Sequence, residues 1–596
     1  MLLDGGVVAI KGIGGYHLAA RAQDGLAVDR LRSRKGRETK PFALMVPHEA
    51  AALELVDLSS AARAILSSSA APIVLAPRTH RGSQSIAEGV APGQNRLGVM
   101  LAYTPLHHLL FDAGPRLGPL VMTSGNLSDE PLCIDDGEAR ERLLAPQGPP
   151  GSERDALADA LLLHTRPITR PVDDSVVLDL GEGEQGGVLP MRRSRGFAPG
   201  PVAQLRSGTM GLALGGDLKA APAVVCDGRV VMGQHLGDLE GPLAFDRFQE
   251  AISDLCELYR VKPDFIAIDS HPRYHGSAFG RALAEKTGAR LIPVQHHHAH
   301  GASVLAEHGH AGPALAVVCD GTGYGEDGTS WGGELLLIEG SRFKRLATLK
   351  PLRLPGGDAS SKETRRCALA ILHSALGDSF DRHPMCALLF PDPAERAMAC
   401  AMIRQNVSCV LSSGAGRYVD GVASLLGLAS FNHHEALSGQ ALESRAAKGV
   451  EQDWRAPPFP LLPGEPAILD LSPMLLPLIE ASPGFPRASD RGSFEVEVGP
   501  PKGAGVSVWA HRFHRGLAAA WEQTLLHFSR ETGIRTAAVS GGVFSNGLLT
   551  RMLCEPLAER GMTVLRHRKV PPNDGGLALG QAAVAAGLLD NSTPFS

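Results

Sequence analysis

Gln295-His-His-His-Ala-His300 is followed, about twenty residues later, by Val318-Cys-Asp-Gly-Thr-Gly323. A helical reading of the first stretch puts His296 and His300 four positions apart, so both imidazoles leave one face and can share a metal ion. Asp320 offers a third ligand. The glycines beside it, Gly321 and Gly323, let backbone N–H groups approach a phosphate, and together the two stretches point to a metal next to a nucleotide. An isolated i,i+4 histidine pair is often only a hydrogen-bonded surface pair; the acid at what reads as a strand end weighs against that simpler account.

Outward from this centre, the same pattern recurs. Gly211-Leu-Ala-Leu-Gly-Gly-Asp-Leu-Lys219 and Ala223-Val-Val-Cys-Asp-Gly-Arg-Val-Val231 read as a strand, a glycine-rich turn, a strand and a hairpin. Ala314–Gly323 and Ser330–Ile338 read as strand, loop and strand, and Thr536-Ala-Ala-Val-Ser-Gly-Gly-Val-Phe-Ser-Asn546 runs from a strand through Gly541-Gly542 into a helix. Such repetition fits a two-lobed, actin-like α/β fold whose turns grip phosphate through backbone donors, although any α/β protein has glycines where strands meet helices. The last motif is Pro572-Asn-Asp-Gly-Gly-Leu-Ala-Leu-Gly-Gln581, and its Asp574 either completes a His2Asp2 metal set or caps the helix that follows.

The first third has a different character. Gly6–Ile10 reads as a buried strand opening into Lys11-Gly-Ile-Gly-Gly-Tyr16, which lacks the spacing of a P-loop. Arg32-Ser-Arg-Lys-Gly-Arg-Glu-Thr-Lys40 carries five basic residues in nine positions and is followed by the strand pattern Pro41–Val46. A solvated helix end is the ordinary account of such a run; a strand beside it would instead hold the charges at the mouth of a sheet. Val121-Met-Thr-Ser-Gly-Asn126 is another apolar strand, ending in hydroxyls, a glycine and an amide. Turn residues from Arg195 to Gly208 separate this region from the rest, giving expected domains at 1–205 and 206–596.

Composition removes several classes of function. Fifty-eight basic against 63 acidic residues leave no surplus charge for nucleic acid or an anionic membrane. The nine cysteines are scattered singly with no C-x-x-C pair, which fits a reducing compartment and encodes neither a zinc knuckle nor a disulfide framework. With no basic, apolar leader and no run of membrane-spanning length, the protein is expected to be cytoplasmic.

KGIGGYHLAARA, RLRSRKGRETKPFALM, TSGNLSDEPL and MRRSRGFAPGPV resemble the YrdC-like domain of the HypF family, the carbamoyltransferases of [NiFe]-hydrogenase maturation. VQHHHAHGASVLAEHG, VCDGTGYGEDGTSWGGELL, SGGVFSNGLL and NDGGLALGQA are similar to that family's Kae-like, ASKHA-type carboxy-terminal part. The resemblance implies a YrdC-like domain that forms carbamoyl-adenylate from ATP, with Mg2+, and carbamate. There Lys11, Arg32 and Lys40 would be catalytic, Arg34 and Lys35 would bind phosphates, and Ser124 and Asn126 would position ATP or carbamate. It implies a mononuclear divalent metal, Zn2+ or Fe2+, on His296, His300, Asp320 and Asp574. Nucleotide contacts would fall on Gly321, Thr322, Gly323, Gly541, Gly542, Asn546 and Glu435. Phe431–Ala441 departs from the family's compact E-G-Q-A-A motif, because aligning Gly439-Gln440 puts Ser438 in the acid's place. The implied acceptor is the carboxy-terminal cysteine of HypE, and the implied donor is carbamate derived from carbamoyl phosphate. Acylphosphatase-like and zinc-finger regions are not matched, so carbamate is expected from another source. The competing readings are a small-molecule O-carbamoyltransferase and, from another class, a non-catalytic nucleotide-binding assembly factor.

Overall fold

A computed structural model describes residues 1–113, 117–126, 132–146, 155–206, 208–485 and 505–590. Residues 127–131 of the TSGNLSDEPL motif lie outside the described residues, as do 486–500 at the end of the middle region, 352–500, to which the sequence assigns no role. The chain divides into two compact units. One comprises Met1–Gly200 with Leu218–Ala220 and Met232–Leu255; the other comprises Pro201–Asp217, Ala221–Val231 and Cys256–Ser596. The segment Met232–Leu255, which the sequence alone groups with the second domain, clusters with the first unit. There Arg193 Nη1 donates to the Met232 carbonyl (3.2 Å) and His235 N to the Arg193 carbonyl (2.9 Å).

The first unit is built on a nine-stranded mixed sheet. Tyr16–Arg21 lies between Val8–Lys11 and Leu120–Ser124, antiparallel to both, with Lys11 opposite Tyr16 and Ser124 opposite His17. This register brings Lys11 and Ser124 to the same end of the sheet. The helix Gly25–Lys35 starts at Asp24, whose side chain accepts from Ala27 N (3.1 Å), and stops at Gly36 in the left-handed region (φ 62°). Its last turn carries Arg32, Arg34 and Lys35, where the helix dipole favours cations.

The second unit contains two sheets. In one, the parallel strands Gly211–Ala213, Phe265–Asp269 and Arg290–Val294 are continued by the hairpin Ala223–Cys226/Arg229–Met232, the strand-and-hairpin order read from the sequence. In the other, Ala314–Tyr324 is central, antiparallel to Ser330–Glu339 and parallel to Thr536–Ser540. Burial on both faces is why its first half, Ala314–Cys319, is a continuous apolar run without alternation. The structure corrects one detail here. Asp320 does not end a strand; the strand continues to Tyr324, with a register shift between Cys319 and Gly323. A bulge of this kind re-aims side chains, and it sits where the acid must leave the sheet. The middle region supplies the helices Thr364–Leu376 and Ala415–Leu425 to the large core beside this sheet.

Candidate functional site

The helix His296–Glu307 is buried along its whole length. Gln295 caps it, its side chain accepting from His298 N (2.8 Å). Of the four imidazoles in its first five positions, His297 packs near Trp331 and His298 near Phe343 (4.8 Å), where burial lowers the His298 pKa to about 4. Only His296 and His300 face the carboxylates. His296 Nε2 is 3.3 Å from Asp320 Oδ2 and 3.8 Å from Asp574 Oδ1, and His300 Nε2 is 3.6 Å from each of the same two oxygens. One ligand atom from each of the four residues lies within 4.8 Å of all the others.

Donor atoms on a tetrahedral Zn2+ at about 2.0–2.1 Å lie about 3.4 Å apart, so these spacings fit one divalent ion after shifts of a few tenths of an ångström. Two further observations agree with that fit. His300 Nε2 is buried without a hydrogen-bond partner among the described residues. His296 Nδ1 donates to Asp269 Oδ2 (2.8 Å), which leaves the Nε2 lone pair aimed at Asp320 and Asp574. Asp574 is not the cap of its helix. That role belongs to Asn573, whose side chain accepts from Gly575 N (3.0 Å), and the Asp574 carboxylate is thereby left for the cluster. Among these protein groups, burial opposes charge on His296, yet Asp269 and Asp574 hold its pKa well above the ordinary value. Burial likewise opposes the Asp320 charge, and His296 and His300 nevertheless hold its pKa well below the usual carboxylate range. Such a site prefers positive charge at its centre.

Glycine is required at two positions. A Cβ on Gly323 would lie 2.4 Å from His297 Cε1 and 2.8 Å from His296 Cδ2, and one on Gly541 (φ 102°) would lie 2.2 Å from the Cys319 carbonyl oxygen. Next to Gly541, Gly542 N donates to Asp320 Oδ1 (3.1 Å), so this turn fixes the acid from the side opposite the histidines. Replacing Gly323 by alanine is expected to tilt the His296 ring and weaken Zn2+ binding by at least about tenfold, measured by chelator competition. Wild-type affinity in that variant would show that the strand has room to yield.

The other expected nucleotide residues are less uniformly placed. Thr322 Oγ1 pairs with Ser330 Oγ (2.9 Å) beside Gly321. Asn546 caps Gly547–Glu559 by accepting from Leu549 N (3.0 Å), and its amide nitrogen pairs with His514 Nε2 (2.8 Å). Glu435 is exposed, and Ser438 is buried and donates to Asp420. Asp420, which lies on the helix Ala415–Leu425, is itself buried and 2.9 Å from Arg417.

In the first unit, Lys35, Ser124 and Asn126 converge. Lys35 Nζ donates to the Ser124 carbonyl (2.6 Å) and to Asn126 Oδ1 (3.0 Å), and Ser124 Oγ donates to Asn126 Oδ1 (2.6 Å). Lys11 pairs with Asp136 (2.6 Å) and the His164 carbonyl (3.2 Å), while Arg34 pairs with Asp159 (2.8 Å). Lys40 is exposed. Arg32 is corrected. Its guanidinium donates to the carbonyls of Gly89, Arg37, Glu38, Lys40 and Val90 and lies over Phe42 (4.5 Å), leaving no donor for a phosphate. Burial lowers its pKa to about 10. Arg32→Ala is expected to cost about 3 kcal/mol of stability by orphaning the carbonyls of Gly89, Arg37 and Glu38, read as a lower denaturant midpoint; an unchanged midpoint would return Arg32 to the substrate.

Residues overlooked in the sequence include Asp269, which orients His296, and Arg37, whose Nη1 donates to Thr123 Oγ1 (3.1 Å) at the strand end that holds Ser124. Asp269 had a legible signal, since Phe265-Ile-Ala-Ile268 is an apolar strand that ends in an acid.

Family comparisons agree with this architecture. Residues 1–193 match the Sua5/YciO/YrdC model described as "Telomere recombination", residues 206–307 the "HypF Kae1-like domain", and residues 316–581 "Carbamoyltransferase, Kae1-like Domain, second subdomain". Carbamoyltransferase HypF2 of Cupriavidus necator is 39% identical over 98% of this chain and 72% of its own length. Carbamoyltransferase HypF of Rhodobacter capsulatus is 40% identical over 99% and 72%. This chain belongs to the HypF carbamoyltransferase family. HypF structures share its fold: a full-length HypF crystallised in a phosphate- and nucleotide-bound form superposes with a TM-score of 0.86 at 32% identity, covering 99% of this chain and 86% of that one. The T. kodakarensis HypF structure gives the same TM-score at 31% identity, covering 99% and 73%. The chain is thus a carbamoyltransferase with a YrdC-like part and a Kae1-like part. Among the described residues, no helix is long and apolar enough to cross a membrane.

Proposed function

We propose that the YrdC-like unit joins carbamate to ATP, giving carbamoyl-adenylate and pyrophosphate, and that the Kae1-like unit transfers the carbamoyl group to the carboxy-terminal cysteine of HypE for cyanide-ligand synthesis in [NiFe]-hydrogenase maturation. The observation that carries this reading is the convergence of His296, His300, Asp320 and Asp574 on one point. These residues would hold a divalent cation, Zn2+ or Fe2+, which when bound supplies Lewis-acid neutralisation of phosphate charge. Gly321–Gly323 and Gly541–Gly542 adjoin Asp320 without bulky side chains, so a phosphate can approach the cluster closely. In the first unit, Lys35 holds Ser124 and Asn126 at a strand end while Lys11 supplies positive charge at the same end of the sheet, an arrangement suited to placing ATP and carbamate in line. The nucleotide-bound form of the HypF relative supports ATP as the substrate.

An external thiol fits the interior chemistry. Cys319, next to Asp320, is fully buried, and burial together with Glu334 and Asp320 pushes its pKa well above the ordinary thiol range. The test is to incubate the chain with carbamate, ATP–Mg2+ and HypE and to follow the carbamoyl mass onto the HypE carboxy-terminal peptide. Modification of small alcohols, with HypE unmodified, would instead favour O-carbamoyl transfer. Absence of carbamate-dependent ATP–pyrophosphate exchange would favour a passive nucleotide-binding factor.

A further inference from the structure

Behind His300 runs a buried line of polar side chains that ends in a carboxylate. His300 Nδ1 lies 3.5 Å from Ser540 Oγ, Ser540 Oγ lies 2.9 Å from His567 Nε2, and His567 Nδ1 lies 3.1 Å from Glu307 Oε2. Glu307 stands at the far end of the same helix, and its other oxygen, Oε1, accepts from the backbone N–H groups of Arg568 and Lys569, both at 2.6 Å. All four side chains are buried.

Resting on the cation reading above, we infer that Glu307, His567 and Ser540 are positioning residues that fix which nitrogen of His300 carries the proton. The reasoning is a count of protons. A carboxylate has none to give, so His567 must donate from Nδ1 and keeps a lone pair on Nε2. Ser540 has one hydroxyl proton and gives it to that lone pair at 2.9 Å, nearer than its other acceptor, the Pro572 carbonyl at 3.5 Å. The Ser540 oxygen then receives the proton on His300 Nδ1, and the lone pair of His300 is left on Nε2, on the side of Asp320 and Asp574. Glu307 is kept charged for this purpose: burial opposes ionisation, but His567 and the two N–H groups hold its pKa below the ordinary range. His296 obtains the same tautomer directly from Asp269; His300, further along the helix, obtains it through three residues.

Glu307→Gln tests the inference because it reverses the link between residue 307 and His567. The amide oxygen must stay on the N–H groups of Arg568 and Lys569, so the NH2 faces His567 and makes Nδ1 an acceptor. His567 then donates from Nε2 to Ser540 Oγ, whose own proton turns to His300 Nδ1 or to the Pro572 carbonyl, both at 3.5 Å, so the hydroxyl is no longer a dedicated acceptor for His300. In full-length, metal-free, 15N-histidine-labelled protein, two-bond 1H–15N correlations are expected to show His567 protonated on Nδ1 in the wild type and on Nε2 in Glu307→Gln. Zn2+ affinity, measured by competition with a chromophoric chelator, is expected to fall about 10–100-fold. Ser540→Ala, which breaks the line with little change of volume, is expected to lower affinity similarly and to abolish any further effect of Glu307→Gln. An unchanged His567 tautomer in Glu307→Gln, or full additivity of the two substitutions, would overturn the relay and leave Glu307 a brace for the Arg568–Lys569 turn. Should the wild type bind no Zn2+, the cation reading fails instead, and the metal-free tautomer measurement still decides the relay. If Glu307→Gln does not fold, Ser540→Ala with wild-type Zn2+ affinity is the result that overturns it.

Discussion

His300→Ala is expected to abolish carbamoyl transfer to HypE, by roughly a thousandfold or more, while leaving carbamate-dependent ATP–pyrophosphate exchange within about twofold of the wild type. The expectation follows from the separation of the two clusters along the chain. His300 Nε2 has no protein partner among the described residues and faces two carboxylates, so deleting the ring removes a ligand and leaves Asp320 and Asp574 with one imidazole between them. A three-ligand site would lose affinity. The Lys35–Ser124–Asn126 cluster belongs to the other compact unit, with its own sheet and core. Two measurements on one preparation check this: exchange with labelled pyrophosphate, and mass of the HypE peptide. Equal loss of both activities would mean that the two chemistries share one site. Retention of transfer would remove His300 from the reaction altogether.

The convergence of His296, His300, Asp320 and Asp574 was legible in the sequence because each of them sits in a local pattern with a fixed geometric meaning. The i,i+4 spacing of His296 and His300 needs only a helix, and an acid beside glycines next to an apolar run needs only a strand and a turn. What the sequence hid is how competing local roles are resolved. Asp574 and Asn573 are both capping residues by type; only the fold shows that Asn573 takes the backbone N–H and frees Asp574. Asn546 shows the reverse, a residue in a motif position whose side chain is consumed as a cap. The basic run from Arg32 to Lys40 misled for a related reason. Charge is visible in a sequence, but whether a guanidinium meets phosphate or carbonyl oxygen depends on which loop folds over it, here residues 37–40 together with Gly89 and Val90. The relay behind His300 was invisible for a stronger reason: Glu307, Ser540 and His567 come from three segments, and no local pattern links them.

Lys35→Met is expected to reduce carbamate-dependent ATP–pyrophosphate exchange by about a hundredfold or more and to leave Zn2+ affinity unchanged. Methionine preserves the length and apolar stem of the side chain, so the substitution removes mainly the ammonium. That ammonium is buried and donates to the Ser124 carbonyl and the Asn126 side chain, holding the end of the strand Leu120–Ser124 in one conformation. Without it, three carbonyl-type oxygens, Ser124 O, Asn126 O and Asn126 Oδ1, each lose a donor, and the hydroxyl and amide proposed to orient ATP and carbamate lose their alignment; small misplacements of this kind are costly for an in-line displacement. Lys35 thus acts through Ser124 and Asn126. Arg32, three residues earlier on the same helix, supplies the control. Arg32→Ala should be the more destabilised protein, because more carbonyls are orphaned, yet below its melting temperature it should retain more exchange than Lys35→Met, since its partners are backbone carbonyls and none belongs to Ser124 or Asn126. If activity instead followed stability across the two variants, the loss in Lys35→Met would reflect unfolding of the unit, and the strand-end cluster would have no special part in adenylate formation.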